Sequence, residues 1–104
     1  MVIDGFDWDA GNREKCQKHG VSLAEIEALF SSVVSVFPDP GHSTKETRLR
    51  AIGRAAQGRY IFIAFTLRNR NGAQLVRPIN ARYMHVKEIR HYEAQIAQAT
   101  RPEE

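Results

Sequence analysis

The sequence has little of what disulfide-bonded, zinc-binding or membrane-spanning proteins need. Its 104 residues include one cysteine, Cys16, which excludes an internal disulfide and a cysteine-based zinc cluster. The longest apolar run, residues 60–65, is far shorter than the ~20 residues that cross a bilayer. The acidic, aromatic N-terminus does not resemble a secretory signal peptide. These absences predict a cytoplasmic protein with a single domain over residues 1–104 and no membrane partner.

Signatures of metal-dependent and nucleophilic enzymes are also missing. His85 and His91 are six residues apart, which places them on different faces of a helix. Asp39 and His42 form a pair in a loop, without further obvious ligands. The sequence contains no glycine-rich phosphate loop and no serine-centred hydrolase elbow. We therefore expect neither a metal nor a cofactor.

The charge of the chain is distributed unevenly. The formal charges of residues 1–47, 48–90 and 91–104 are −4, +9 and −2, which sum to the net +3. Nine of the ten cations in residues 48–90 are arginines. The guanidinium fork suits phosphates and base edges, so this segment indicates an anionic partner. The alternative is a basic sheet face that is only solvated.

Two helices are predicted in the first third of the chain. Asp9 is a suitable N-cap for a helix over residues 12–19, and Gly20 is typical of the position after a helix. Ser22 and Glu25 have the spacing of a capping box at the start of the second helix. Residues 18–21 should therefore form a tight corner between the two helices.

The rest of the chain predicts a sheet and a last helix. Gln57-Gly58 and Asn71-Gly72 are hairpin turn signals, and Pro78 indicates an edge position or a bulge. The expected strands and helix lie at residues 33–37, 47–55, 60–67, 73–81 and 85–99. This is an α+β fold of order α-α-β-β-β-β-α, with an antiparallel sheet and the helices packed on one face.

Several short motifs follow one another over most of the chain. They are Phe6-Asp7-Trp8-Asp9, Lys18-His19-Gly20-Val21, Phe37-Pro38-Asp39-Pro40, Glu46-x-Arg48, Ala51-Ile52-Gly53, Ile79-Asn80-Ala81-Arg82 and Tyr92. In their residues and their order they resemble the BrnT toxin family, a branch of the RelE-like ribonuclease fold. Two departures are Asn80, where the family often has serine, and residues 86–90, which are less basic than usual.

The resemblance implies an activity and partners. It implies endoribonuclease activity, inhibition of translation, and neutralisation by a BrnA-like antitoxin. Such antitoxins carry a DNA-binding domain, so the pair would repress its own operon and reach operator DNA only through the antitoxin. A dimeric or higher toxin–antitoxin assembly is also expected.

Cutting RNA without a metal needs a base for the 2′-hydroxyl, cations for the phosphate and an acid for the leaving oxygen. Arg82, at the end of a strand, is the first choice for the phosphate, and a salt bridge to the acidic N-terminal segment is its alternative role. His19 is the first choice for proton transfer, because imidazole exchanges protons near neutral pH. Its alternative role is to cap the helix corner.

The other candidate residues have supporting roles. Glu46 is either a base or the ion-pair partner that orients Arg48, and we favour orientation. Tyr83 would stack on a base or donate a proton, whereas Tyr92 is expected to pack in the core. The residues expected to bind RNA are Arg50, Arg54, Arg77, Lys18 and Lys87. Two further functions stay open, a non-catalytic nucleic-acid-binding module and a domain that docks an acidic protein.

Overall fold

The computed structural model describes residues 2–32, 34–39, 41 and 46–99. The helices and the four longer strands follow in the predicted order. None of the helices in this part of the chain is long and apolar enough to cross a membrane. The elements are β1 (Gly5–Phe6), α1 (Ala10–Gln17), α2 (Leu23–Phe30), β2 (Ser35–Pro38), β3 (Arg48–Arg54), β4 (Tyr60–Arg70), β5 (Ala73–Tyr83) and α3 (Val86–Ala99).

The strands form one mixed sheet of order β1-β5-β4-β3-β2. Strands β2 to β5 are antiparallel neighbours, as predicted. Strand β1 runs parallel to β5, so the prediction of a purely antiparallel sheet is wrong. The N-terminal segment joins the sheet because Asp4 N and Asp7 N donate to the carbonyl oxygens of Gln74 and Val76, both at 2.8 Å.

The N-termini of α1 and α2 are both capped by side chains. Asp9 accepts from the backbone N–H of Asn12, whose side chain accepts in return from Asp9 N, so α1 begins two residues before the predicted start. Ser22 and Glu25 form the predicted capping box of α2. Gly20, at φ +90°, makes the corner between the helices in a conformation that favours glycine. The predicted corner is therefore confirmed.

Helices α1 and α2 cover one face of the sheet, which we call the core face. Gly53 lies on this face, where a Cβ would come within 2.8 Å of a Leu29 methyl carbon. The missing side chain at this position therefore lets α2 approach β3 closely. The fully buried core residues are Cys16, Val21, Ile26, Leu29, Ala51, Ile61, Ile63, Phe65, Val76 and Ala81.

Helix α3 packs on the opposite face. Its Tyr92 meets the rings of Phe37 and Tyr60 edge-on, with centroids 6.2 and 5.7 Å apart, and its hydroxyl lies 2.7 Å from Ser35 Oγ. All three partners belong to strands β2 and β4. The prediction that every helix packs on one face is therefore wrong, while the packing role of Tyr92 agrees with its place on the apolar stripe of α3.

A bulge at Pro78 changes which face of the sheet the following side chains of β5 point to. Asn80 pairs with Ala64 and Pro78 pairs with Phe65, so Ile79 is left as the extra residue. The bulge that Pro78 predicted is confirmed. Its effect is visible in the core, where Val76 and Ala81 are both fully buried although an uninterrupted strand would point them to opposite faces.

Candidate nucleic-acid interface

The strand arginines collect on the face opposite the core, which we call the arginine face. On β3 the predicted alternation is confirmed, because Arg48 and Arg50 alternate with Leu49 and Ala51, which pair with the core residues Phe65 and Ile63. On β5 the bulge brings Arg77 and Arg82 to the same face, although they are five residues apart. The arginine face comprises Arg48, Arg50, Arg54, Arg68, Arg70, Arg77 and Arg82.

Most of these arginines pair with carboxylates of the same chain. The acidic partners come from the N-terminal segment, the region before β3 and the start of α3. The ion pairs are Arg48–Asp39 (3.7 Å), Arg68–Glu46 (2.9 Å), Arg70–Asp7 (3.2 Å), Arg77–Asp7 (3.8 Å), Arg77–Asp9 (2.8 Å) and Arg82–Glu88 (2.7 Å). Glu46 was predicted to orient Arg48. That prediction is wrong, because its carboxylate binds both Nε and Nη2 of Arg68.

Arg82 is held by a carboxylate and an aromatic ring. Its Nη1 and Nη2 donate to the two carboxylate oxygens of Glu88, both at 2.7 Å, and its Cζ lies 4.7 Å from the ring centre of Phe62. The pKa of Glu88 is lowered to about 2, chiefly by Arg82 and then by the His85 N–H, which donates to Glu88 at 3.0 Å. The predicted alternative partner, the N-terminal segment, does not hold Arg82.

Two arginines differ from the rest. Within the described residues, neither Arg50 nor Arg54 has a carboxylate at ion-pair distance. Arg54 donates to the hydroxyl of Tyr60 at 2.9 Å and lies over its ring. Arg50 donates through Nη2 to the carbonyl oxygen of Pro38 at 3.2 Å, and its buried Nε has no hydrogen-bond partner among the described residues. Neither guanidinium therefore has an ion-pair partner in the part of the chain that the structure describes.

A cavity of about 260 Å³ opens between α3 and the arginine face. Its apolar walls come from the sheet, from Met84 in the segment after β5, and from Tyr92. Its polar lining combines one cation, one carboxylate, one imidazole and one amide. The residues concerned are Phe37, Ile52, Phe62, Met84 and Tyr92, and Arg50, Glu88, His91 and Gln95. The cavity adjoins Arg82 because both Phe62 and Glu88 contact that arginine.

Three predicted site residues lie away from this face. Lys18 and His19 are exposed at the corner between α1 and α2, on the core side of the sheet. Tyr83 pairs with Ile61, a core residue, and its hydroxyl donates to both carboxylate oxygens of Glu25 at 3.0 and 2.8 Å. That carboxylate raises the pKa of Tyr83. The structure therefore does not bring His19 or Tyr83 together with Arg82.

Sequence reasoning missed the contribution of α3 to the site. Glu88, His91, Tyr92 and Gln95 all line the cavity, at the three- and four-residue spacing of one helix face. That spacing was visible in the sequence, but it does not reveal which face of the sheet the helix covers. The predicted RNA-binding residue Lys87 is exposed in the first turn of the same helix.

The described residues contain no group of three or more histidine, cysteine, aspartate or glutamate side chains placed to hold a metal ion. The acidic side chains of the arginine face are instead engaged with arginines.

Comparison with known proteins identifies the family. A family model for the ribonuclease toxin BrnT of type II toxin–antitoxin systems matches residues 8–88, which is 81 of the 104 residues. A search of curated proteins found no match. The family match confirms the resemblance seen in the sequence motifs, and with it the prediction of an endoribonuclease that has RNA as its target and an antitoxin as its partner. The chain belongs to the BrnT family of ribonuclease toxins of type II toxin–antitoxin systems.

Proposed function

We propose that this toxin is a metal-independent endoribonuclease that binds single-stranded RNA along the arginine face and cuts it beside Arg82. The observation that carries the proposal is the bulge at Pro78, which adds Arg77 and Arg82 to a face already occupied by Arg48 and Arg50. Arginines of three strands then share one face, and arginines are the cations that neutralise backbone phosphates.

Arg82 is proposed to stabilise the charge that develops on the scissile phosphate. Glu88 already binds this guanidinium with two parallel hydrogen bonds, and a phosphate offers the same pair of acceptors. Arg82 is about one-third exposed, so RNA can reach it. Removal of a comparable charge-stabilising donor from an enzyme costs roughly 100- to 1,000-fold in rate.

We propose His91, rather than His19, for proton transfer. His91 lines the cavity beside Arg50 and lies one helical turn from Glu88, the partner of Arg82. His19 and Tyr83 are left out of the site because they belong to the core side of the sheet. Glu46, next to Arg68 on the arginine face, is the second candidate for a proton-transfer group.

The remaining cations divide between the two sides of the sheet. Arg48, Arg54 and Arg77 are proposed to contact successive phosphates and Arg50 to bind the RNA from the cavity, with Lys87 adding charge from α3. Lys18 is left out because it lies at the corner of α1 and α2.

The cellular role follows from the family. We propose that RNA cleavage inhibits translation, and that a BrnA-like antitoxin neutralises the toxin and represses the operon through its own DNA-binding domain. A RelE-like fold and a dimeric or higher assembly with the antitoxin are part of the same proposal. Expression of the toxin with and without the neighbouring gene tests it, since growth arrest should occur only without that gene.

A second candidate function is binding without cleavage. The Arg82–Glu88 ion pair favours it, because it gives the proposed phosphate-stabilising arginine a structural role within the chain. A substitution at Glu88 distinguishes the two candidate functions. If Arg82 serves only to anchor α3, loss of either partner of the Arg82–Glu88 pair should have the same consequences.

The deciding experiment incubates purified toxin with single-stranded RNA in EDTA. We expect cleavage by the wild type, a loss of about 100-fold or more in Arg82→Ala, and retained cleavage in Glu88→Gln. Circular dichroism should show that both variants fold. Cleavage that requires a divalent metal would contradict the mechanism, and RNA binding without cleavage under any condition would favour the second function.

A further inference from the structure

We infer that the cavity between α3 and the arginine face is a guanine-binding subsite that sets the sequence preference of cleavage. The inference rests on the proposed function for its role in cutting, but the binding of a base to the cavity is a separate property. It names a ligand for a site that family membership does not assign.

The size and walls of the cavity suit a single nucleobase. Its volume of about 260 Å³ lies just below the range of about 300–1,000 Å³ that is usual for pockets holding drug-sized ligands. The rings of Phe37, Phe62 and Tyr92 and the side chain of Ile52 supply apolar surface. Proteins bind bases of single-stranded RNA by stacking them on aromatic rings of this kind.

The polar lining favours a base edge rich in acceptors. Arg50 is the cation of the cavity, and among the described residues no carboxylate pairs with it and its buried Nε has no hydrogen-bond partner. Glu88, the carboxylate of the cavity, already accepts hydrogen bonds from Arg82 and His85. Gln95 adds an amide on α3. The hydrogen-bonding groups of the cavity that are still available to a ligand are therefore mainly donors.

Guanine matches this donor set better than the other bases. Its N7 and O6 are adjacent acceptors that an arginine fork binds with two hydrogen bonds. Adenine presents an amino donor where guanine has O6, and cytosine presents an amino donor as well. Such groups would face the donors of Arg50 instead of pairing with them. Uracil lacks the paired N7 and O6 acceptors.

The position of the cavity connects base binding to cutting. The Arg82 guanidinium lies over Phe62 and binds Glu88, and both of these residues line the cavity. A guanine stacked in the cavity would therefore hold its neighbouring phosphate on the Arg82 side. The consequence is a guanine at one fixed position relative to the cut.

The first experiment maps the RNA ends that wild-type toxin produces from a pool of random single-stranded oligonucleotides. We expect guanine to be enriched at one position beside the cut. Arg50→Lys keeps the charge but removes the fork, so it should lower that enrichment by about tenfold or more. Gln95→Ala should lower it less. Gln98→Ala changes an exposed residue of the same helix outside the cavity, and should leave both rate and preference unchanged.

The inference is overturned if the wild type cuts without a base preference, or if the preference survives unaltered in both Arg50→Lys and Gln95→Ala. Enrichment of another base at the fixed position overturns the choice of guanine. These outcomes concern preference, so they are distinct from an absence of cleavage, which would contradict the proposed function.

The second experiment tests the cavity without any cleavage. Guanosine 5′-monophosphate and cytidine 5′-monophosphate are titrated separately into wild-type toxin, and the side-chain amide resonances of Gln95 and Gln98 are followed by NMR. We expect the guanosine nucleotide to shift the Gln95 resonances and not those of Gln98, with weaker binding in Arg50→Lys. Equal shifts from both nucleotides, or no shift at Gln95, would overturn the inference.

Discussion

The two faces of the sheet are built from the same strands but have different tasks. The core face is closed by α1 and α2 and filled by apolar side chains without room for an added methyl group at Gly53. The arginine face is only partly covered by α3, and several of its charges, such as Arg68 and Arg77, pair with carboxylates that are distant in sequence. The core face therefore supplies most of the stability, and the arginine face is proposed to bind the ligand. Single substitutions on one face should affect its property and not that of the other face.

The histidines of the two faces should give the largest contrast. His91→Ala should lower the RNA cleavage rate by about 100-fold or more, because general acid–base catalysis contributes roughly 100- to 10,000-fold. His19→Ala, at the helix corner on the core side, should cleave at the wild-type rate. Single-turnover cleavage of one oligonucleotide measures both. A large loss in His19→Ala would return the proton-transfer role to that residue.

Gly53→Ala should damage the core face alone. The added Cβ would lie 2.8 Å from a methyl carbon of the buried Leu29 and 3.0 Å from a Val34 methyl carbon. Overpacking of this kind typically costs about 1–3 kcal/mol in the free energy of unfolding. Denaturant titration measures the loss, while cleavage per folded molecule should be preserved. Gly41→Ala is the control, because its Cβ would meet no atom of the described residues within 4 Å.

Arg54→Ala should weaken RNA binding modestly. Loss of one phosphate contact on single-stranded RNA lowers the slope of log affinity against log salt concentration by about 0.7. Lys18→Ala, on the core side, should leave both affinity and slope unchanged. Fluorescence anisotropy at several salt concentrations measures the two variants. Equal effects in both would mean that RNA is held by overall charge rather than by the arginine face.

Lowering the pH should weaken the contacts of Glu25, which join α2 to the sheet on the core side. The pKa of Glu25 is lowered to about 2 from 4.5, first by Gln57 and then by the Ser22 N–H. Because the folded-state pKa is the lower one, this stabilisation is present above about pH 4.5 and is lost as the pH falls towards 2. Glu25 is partly exposed, so the effect should stay below about 1 kcal/mol. Glu25→Gln should flatten the pH dependence of unfolding over that window, and an unaltered dependence would contradict this assignment.

Local signals in the sequence predicted much of the fold. Asp9, Ser22 and Glu25 marked the helix starts because capping depends on residues that are close in the chain. Alternation separated Arg48 and Arg50 from the core positions of β3, since side chains of a regular strand point alternately to its two faces.

These local signals could not predict contacts between residues that are distant in the chain. Strand β1 has two residues, too few for a pattern, and exists through its bonds to β5. The apolar stripe of α3 indicates that the helix is covered, but not by which side of the sheet. Pairs such as Glu46–Arg68 join residues 22 positions apart in the chain, so adjacency favoured the wrong partner, Arg48.

The bulge at Pro78 makes chain length itself part of the site. Arg77 and Arg82 share a face because β5 contains one residue more than its partner strand over this stretch. Deleting Ile79 would remove the bulge and shorten the separation of the two arginines to four residues, so regular alternation would still place both on one side. Deleting another residue between them, with the bulge kept, would turn them to opposite sides. In this strand, the number of residues between the two arginines matters as much as their identity.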